Sequence, residues 1–265
     1  MAMAGGLPVR LGVAGALGAM GRSVTALAQA RGDVRLAALF DRPDTAAAAR
    51  KPLTTRAKAL RACDVIIDFS TPAASAELAA LAASAGGPAL VIGSTGLSEP
   101  EETTLRAAAQ SIAIVKSGNF SLGINILAGL VEQTARRLGP EIWDVEVFEA
   151  HHRRKRDAPS GTALMLGAAA ARGRGEALID VAAPPREGAG EARRQGDVGF
   201  AVMRAGGIIG EHAVVFAADD EILTLSHSAR DRGLFARGAL EAALWVVGRP
   251  PGLYDMIDVL GFRDA

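Results

Sequence analysis

The sequence predicts an α/β protein, a doubly wound parallel sheet joined to a second α+β domain with an open mixed sheet. Three observations carry that prediction. Through the first half, short β-rich runs alternate with alanine-rich helical stretches, the pattern of a parallel sheet covered on both faces. A glycine-rich turn, Gly15-Ala-Leu-Gly-Ala-Met-Gly21, stands between the first run and the first helix. Beyond about Phe120 the alternation stops, and three β-like runs gather in one block.

Taken in order, residues 9–14, 36–40, 65–69, 90–92 and 112–115 are short, mostly apolar runs and read as buried strands. Between them, 22–30, 73–85 and 100–110 space Ala and Leu for helix. A further helix over 124–138 is ended by Gly139-Pro140, and 143–149 alternates as a strand. Another helix is expected from Thr162 to about Arg172. Residues 173–198, rich in Gly, Pro and Arg, predict a long loop. The β-like runs 199–204, 212–217 and 221–227 follow, and 234–247 is an amphipathic helix stopped by Arg249-Pro-Pro-Gly252. The expected division is a dinucleotide-binding domain at 1–121, a substrate-binding and oligomerisation domain at 122–231, and a segment at 232–265 returning to the first domain.

Composition narrows the functional classes. Lys plus Arg and Asp plus Glu each number 29, so the formal net charge is zero. Such a chain has no global electrostatic footprint for nucleic acid or an acidic membrane, and anion recognition has to be local. A single cysteine, Cys63, excludes an intramolecular disulfide framework and a multi-cysteine zinc site. It precedes Asp64-Val-Ile-Ile-Asp68 and reads as a small buried hydrophobe. The first residues lack a basic region followed by an apolar signal core, and no apolar run is long enough to span a bilayer. A soluble protein of the reducing cytoplasm is expected.

The glycine turn has the spacing G-x-x-G-x-x-G, a variant of the dinucleotide fingerprint. Glycines allow a tight turn, let backbone approach a pyrophosphate and let helix pack close to sheet. The helix N-terminus then offers N–H groups to phosphate. The second strand ends in Asp41, twenty residues past Gly21, where a carboxylate accepts hydrogen bonds from the adenosine ribose. Arg42 follows and suits a 2′-phosphate. Asp41 favours NADH and Arg42 favours NADPH, so dual use is expected. Gly93-Ser94-Thr95 ends the fourth strand and Ser117-Gly118-Asn119-Phe120 closes the fifth, both at the strand ends where open α/β sheets bind ligands. These features together read as a Rossmann-type domain.

The stretch Glu149-Ala-His-His-Arg-Arg-Lys-Arg-Asp-Ala-Pro-Ser-Gly-Thr162 packs two imidazoles, a basic run and a helix opening into fourteen residues. An imidazole titrates near neutral pH, so His151 is fitted to supply a proton. Lys155 can bind a carboxylate or donate a proton. Ser160-Gly161-Thr162 at a helix start suits a carboxylate held by N–H and hydroxyl groups. His151 and His152 as a zinc pair is disfavoured, because adjacent strand residues face opposite ways and H-E-x-x-H is absent; no metal site is expected. Arg154 and Arg156 read as surface residues, and Asp157 as a salt-bridge partner for the basic run. His212 and His227, each in a β-like run, read as structural.

This stretch resembles the signature E-x-H-H-x-x-K-x-D-x-P-S-G-T of the dihydrodipicolinate reductases. The resemblance continues in Asp68-Phe-Ser-Thr-Pro72, Asn119-Phe-Ser-Leu-Gly-Ile-Asn125, Arg204-Ala-Gly-Gly-Ile-Ile-Gly-Glu-His212 and the tail from Gly252 to Leu260. It implies NAD(P)H-dependent reduction of 4-hydroxy-tetrahydrodipicolinate, a small cyclic dicarboxylate, to tetrahydrodipicolinate with loss of water, on the lysine and diaminopimelate route. It further implies His151 as proton donor, with Lys155 a second acid or its electrostatic partner. His152, Lys155, Gly161 and Thr162 become the dicarboxylate-binding set, with Ser160 adjacent. Gly15, Ala16, Leu17, Gly18, Ala19, Met20, Asp41, Arg42, Gly93, Ser94, Thr95 and 117–120 become the cofactor-binding set, and a homotetramer formed through the second domain is implied. Two rivals stand beside it: a related dehydrogenase of small amino or imino acids, such as aspartate dehydrogenase, and a nucleotide sensor on the same fold. The dehydrogenase would not be expected to carry the full run from His151 to Thr162, and the sensor has no need of both His151 and Lys155.

Overall fold

A computed structural model describes residues 7–42, 53–186, 188 and 191–263. The chain divides into two compact units, one of Met1–Leu122 with Gly233–Ala265 and the other of Gly123–Arg232.

The first unit is a six-stranded parallel sheet in the order β10-β5-β4-β3-β1-β2. Its strands are β1 (Val9–Ala14), β2 (Val34–Phe40), β3 (Val65–Asp68), β4 (Ala89–Ile92), β5 (Ala113–Lys116) and β10 (Gly252–Tyr254). The helices joining them are α1 (Ala19–Gln29), α2 (Arg56–Ala62), α3 (Pro72–Ser84) and α4 (Glu99–Ala108). Alternation along each strand divides the core between the faces. Val13, Val65, Ile67, Val91 and Val115 pack with α1 and with α8 (Gly233–Val246). Ile66, Leu90, Ile92 and Ile114 pack on the other face, with Leu78 of α3 and Leu105 of α4. Cys63 belongs to that second layer, as a small hydrophobe should. Its sulfur lies 2.9 Å from where a Cβ on Gly12 would stand, and burial pushes its thiol up to about 11.

Three elements of this unit go beyond the sequence prediction. Helix α2 buries only Ala59, too thin an apolar stripe to register as periodicity. Past Pro251 the chain re-enters the sheet as β10, parallel to β5, and closes with the short helix α9 (Met256–Val259), capped by Asp255.

The second unit is a four-stranded sheet in the order β7-β6-β8-β9. Its strands are β6 (Asp144–His151), β7 (Val198–Arg204), β8 (Glu211–Ala217) and β9 (Ile222–Ser228). β6 pairs parallel with β7 and antiparallel with β8, which pairs antiparallel with β9; the sheet is mixed. Helices α5 (Leu122–Ala135) and α6 (Gly161–Gly173) supply Ile124, Val131, Ala163 and Leu166 to a core with Val145, Val147, Val214 and Phe216. The loop expected over 173–198 is interrupted by one turn of helix, α7 (Leu178–Val181), and by a bridge from Ala182 to Val198. Leu178 and Val181 tuck against the core, which a count of Gly and Pro does not reveal.

Candidate active site

In the first unit two glycines of the turn, Gly15 and Gly21, have a steric reason. Gly15 sits at φ 67°, and a Cβ there would approach the Phe69 carbonyl oxygen to 2.9 Å. A Cβ on Gly21 would come within 2.2 Å of the Gly15 carbonyl oxygen. Gly18 precedes α1 in extended conformation and brings no side-chain cap, so the opening N–H groups of α1 carry no side-chain acceptor at the N-cap. Gly18 and Ala19 are exposed; Leu17 and Met20 are half-buried.

The end of β2 is laced to this turn. Ala16 donates its N–H to the Phe40 carbonyl at 3.2 Å, and Leu17 donates to Asp41 Oδ2 at 2.9 Å. The other Asp41 oxygen accepts the Arg42 N–H at 2.9 Å. Gly15, Asp41, Arg42, Arg56, Asp68 and Ser70 line one cleft. Arg56 and Asp68 in that cleft were not predicted from sequence. Asp68 is buried; its Oδ1 accepts the Ser70 N–H at 2.8 Å, while Oδ2 has no hydrogen-bond partner. Burial holds its carboxyl above the usual range. The glycine turn beside this cleft and the uncapped N-terminus of α1 fit the phosphates of a bound nucleotide.

The other predicted cofactor loops divide into surface and support. A Cβ on Gly93 would overlap the Phe69 ring at 2.1 Å, so the β4 end passes that ring only as glycine. Ser94 is buried and its hydroxyl meets that of Ser75 at 2.8 Å, while Thr95 and Gly118 are exposed. Ser117 donates to the Asn119 carbonyl at 2.7 Å and accepts the Asn119 N–H at 3.1 Å. Phe120 turns inward, edge-on to Phe69 with centroids 5.7 Å apart. Its ring is core, and only its backbone lies in the loop.

In the second unit the sheet register builds a polar cluster. β6 ends in Glu149, Ala150 and His151; Arg204 of β7 lies beside His151 and His212 of β8 opposite Glu149. Glu149 is fully buried. It accepts from His151 Nδ1 at 2.5 Å and from the Ser160 N–H at 3.0 Å. Arg204 grips it with two nitrogens, at 2.8 and 2.7 Å. Burial opposes the charge, but the Arg204 and His151 hydrogen bonds outweigh it and hold the carboxyl below its usual range. Arg204 also donates to the Asp157 carbonyl at 2.6 Å. Asp157 pairs with Lys155 at 2.7 Å, the partnership expected of it, and that pair keeps its carboxyl low.

His151 is nearly buried and packs edge-on to His212, with ring centroids 5.1 Å apart. His152 is half-buried, and desolvation followed by the charges of Arg154, Arg232 and His151 lowers its pKa. Arg154 and Arg156 are exposed, as expected of surface residues. Ser160 caps α6: its Oγ accepts the Ala163 N–H at 3.2 Å, and with its own N–H on Glu149 it is committed to structure. Gly161 is exposed, with nothing within 4 Å of where its Cβ would stand, and Thr162 beside it is half-buried. No group of three His, Cys, Asp or Glu able to hold a metal ion occurs among the described residues. Sequence reasoning assigned Glu149 and Arg204 no role, and took His212 as structural without placing it on His151.

Burial, and then the charge of His151, lowers the His212 pKa to about 4. An unfolded histidine titrates near 6.5. Between those values the unfolded chain binds a proton that the fold refuses. This stabilisation is therefore complete above about pH 6.5 and is lost as pH falls toward 4, on the order of 3 kcal/mol in all. Urea unfolding at pH 7 and pH 5 should show a smaller acid loss in His212→Gln than in the wild type. An unchanged difference between the two pH values would contradict the buried neutral assignment.

Known proteins resemble this chain over nearly its whole length. The family models described as dihydrodipicolinate reductase, N-terminus and C-terminus, match residues 9–120 and 123–260. A protein of Caulobacter vibrioides named 4-hydroxy-tetrahydrodipicolinate reductase is 58% identical over 97% of this chain and 98% of its own. One of the same name from Rhizobium rhizogenes is 49% identical over 96% and 97%. Among solved structures, dipicolinate-bound dihydrodipicolinate reductase from Paenisporosarcina sp. TG-14 superposes with a TM-score of 0.78 over 95% of this chain and 98% of its own, at 21% identity.

Proposed function

The chain belongs to the dihydrodipicolinate reductase family, and on that premise we propose that it reduces 4-hydroxy-tetrahydrodipicolinate to tetrahydrodipicolinate with loss of water, in lysine and diaminopimelate biosynthesis. A nicotinamide cofactor supplies the hydride when bound. The observation that carries the mechanism is His151, buried and tied through Nδ1 to the ionised Glu149. With Nδ1 committed, the proton to be given away sits on Nε2. Lys155, held beside the same turn by Asp157, is the second acid or the cation that balances a carboxylate. Exposed Gly161, with the N-terminal N–H groups of α6, offers donors to the dicarboxylate, and His152 and Thr162 join that set. Ser160 supports it from behind.

For the cofactor, the glycine turn from Gly15 to Met20 takes the pyrophosphate, and residues 93–95 and 117–120 take the nicotinamide half. Asp41 takes the adenosine ribose and Arg42 a 2′-phosphate, which makes NADH and NADPH both usable. Hydrogen bonds to a charged group contribute about 1.5–3 kcal/mol, so Asp41→Ala should raise KM for NADH roughly tenfold or more. Arg42→Ala should do the same for NADPH and leave NADH within about twofold. Equal losses for both cofactors from each change would sink the division.

Apolar side chains exposed on the outer strands of the second sheet, Val202, Met203, Ile222 and Leu223, support a homotetramer assembled there. No described helix is long and apolar enough to cross a membrane, and the working compartment in this reading is the cytoplasm. The direct test is oxidation of NADH or NADPH, followed by nicotinamide absorbance, with enzymatically generated 4-hydroxy-tetrahydrodipicolinate. Tight cofactor binding without oxidation would favour the related dehydrogenase or the sensor.

A further inference from the structure

Glu149 is the most completely satisfied charge in the second unit. Its Oε1 accepts from the Ser160 N–H and from Arg204, and its Oε2 from His151 and from Arg204. Four donors on a carboxylate with no solvent contact leave it neither room to turn nor reason to take up a proton. The consequence falls on the ring beside it. A fixed acceptor at 2.5 Å from Nδ1 requires an N–H there, and so determines which nitrogen of His151 faces outward. At the outward end, a Cβ on Gly210 would stand 3.2 Å from His151 Nε2, so glycine there keeps the approach to Nε2 clear.

We propose that Glu149, clamped by Arg204, is the positioning residue of the proton donor: it fixes the His151 tautomer and ring orientation, while Arg204 ties the Lys155 turn to the same carboxylate through the Asp157 carbonyl. The proposal rests on His151 as proton donor. The cycle balances on the ring. The charged imidazole gives its Nε2 proton to the reduced substrate and is left neutral with Nδ1–H still on Glu149. Water then returns a proton to Nε2. The other charged or titratable groups around the ring are Arg204 and His212 on the neighbouring strands and His152 and Lys155 in the turn.

Glu149→Gln makes a sharp test. Its amide oxygen is needed by Ser160 and Arg204, so its NH₂ turns toward His151 Nδ1 and reverses the tautomer. A reversed tautomer behind a catalytic histidine costs turnover far more than binding; kcat should fall at least a hundredfold, with KM for cofactor and substrate within about threefold. The chain has only 4 histidines, so ring ¹⁵N NMR can assign His151, with Nδ1–H expected in the wild type and Nε2–H in the variant. Glu149→Asp, which keeps the charge, should restore part of kcat. Should Glu149→Gln fail to fold, Arg204→Lys keeps a cation without the fork and is read by the same spectra. An Nδ1–H signal and kcat unchanged in the folded variant would overturn the proposal. The tautomer is read without turnover, so it separates this result from failure of the reductase reading, which would show as an inactive wild type.

Discussion

Replacing His151 with alanine is expected to lower kcat by about a hundredfold to ten-thousandfold, the range a positioned general acid contributes, with nicotinamide affinity near normal. The fold should tolerate the change. Glu149 loses one donor but keeps Ser160 and both nitrogens of Arg204, so no bare charge is left buried. The residues proposed for the cofactor belong to the glycine turn and strand ends of the other unit, which the substitution does not touch. Lys155→Ala should also reduce kcat strongly, and Lys155→Arg should not restore it if a proton is transferred, since guanidinium keeps its proton. Stopped-flow turnover beside cofactor titration separates the two effects. Cofactor binding lost in step with kcat would show that proton delivery and cofactor holding had been divided wrongly.

The parts of this fold that were legible in the sequence are those with their own periodicity. Parallel strands buried on both faces read as unbroken runs such as Val65–Asp68, and the Gly15 turn announces itself by spacing. The second domain was legible as a block of β-runs, because Glu211–Ala217 alternates buried and half-buried along its length. What escaped depends on register. Arg204 meets Glu149 across 55 residues and His212 meets Ser160 across 52; no local pattern encodes either. The one available signal was the stretch from Arg204 to His212, noted for its resemblance and left without a role. Glu149 opened the signature itself, yet an acid in an alternating strand looks like ordinary polar surface until the neighbouring strands bury it. Some predicted positions changed meaning: Phe120 and Ser94 were predicted for the cofactor, and their side chains are buried beneath the loops.

A last result turns on a glycine that the sequence presents as a minor flaw in a helix. Gly238 lies buried in α8, and a Cβ there would stand 1.7 Å from the Phe120 carbonyl oxygen. Two effects compete in Gly238→Ala. Alanine favours helix over glycine by about 1 kcal/mol. The overlap opposes it, and backbone cannot swing aside as the end of a side chain can. Relief requires α8 to move away by more than an ångström from strands on which it packs Ala239, Leu240 and Ala243, and overpacking of that kind costs about 1–3 kcal/mol or more. With backbone as the obstacle the cost falls at the upper end of that range, the clash wins, and the first unit should lose about 2 kcal/mol net, a fall in Tm of roughly 4–8 °C for a protein of this size. Gly32→Ala is the control: nothing lies within 4 Å of its Cβ position, and its Tm should hold within about 2 °C. The effect should reach function as well, because the displaced carbonyl ends the loop of Ser117 and Asn119. Surviving Gly238→Ala protein should bind NADH and NADPH more weakly, while the Nδ1–H signal of His151 in the other unit stays in place. Unchanged stability in Gly238→Ala would mean that α8 does not rest on the Phe120 carbonyl, and the close packing behind the loop at 117–120 would have to be redrawn.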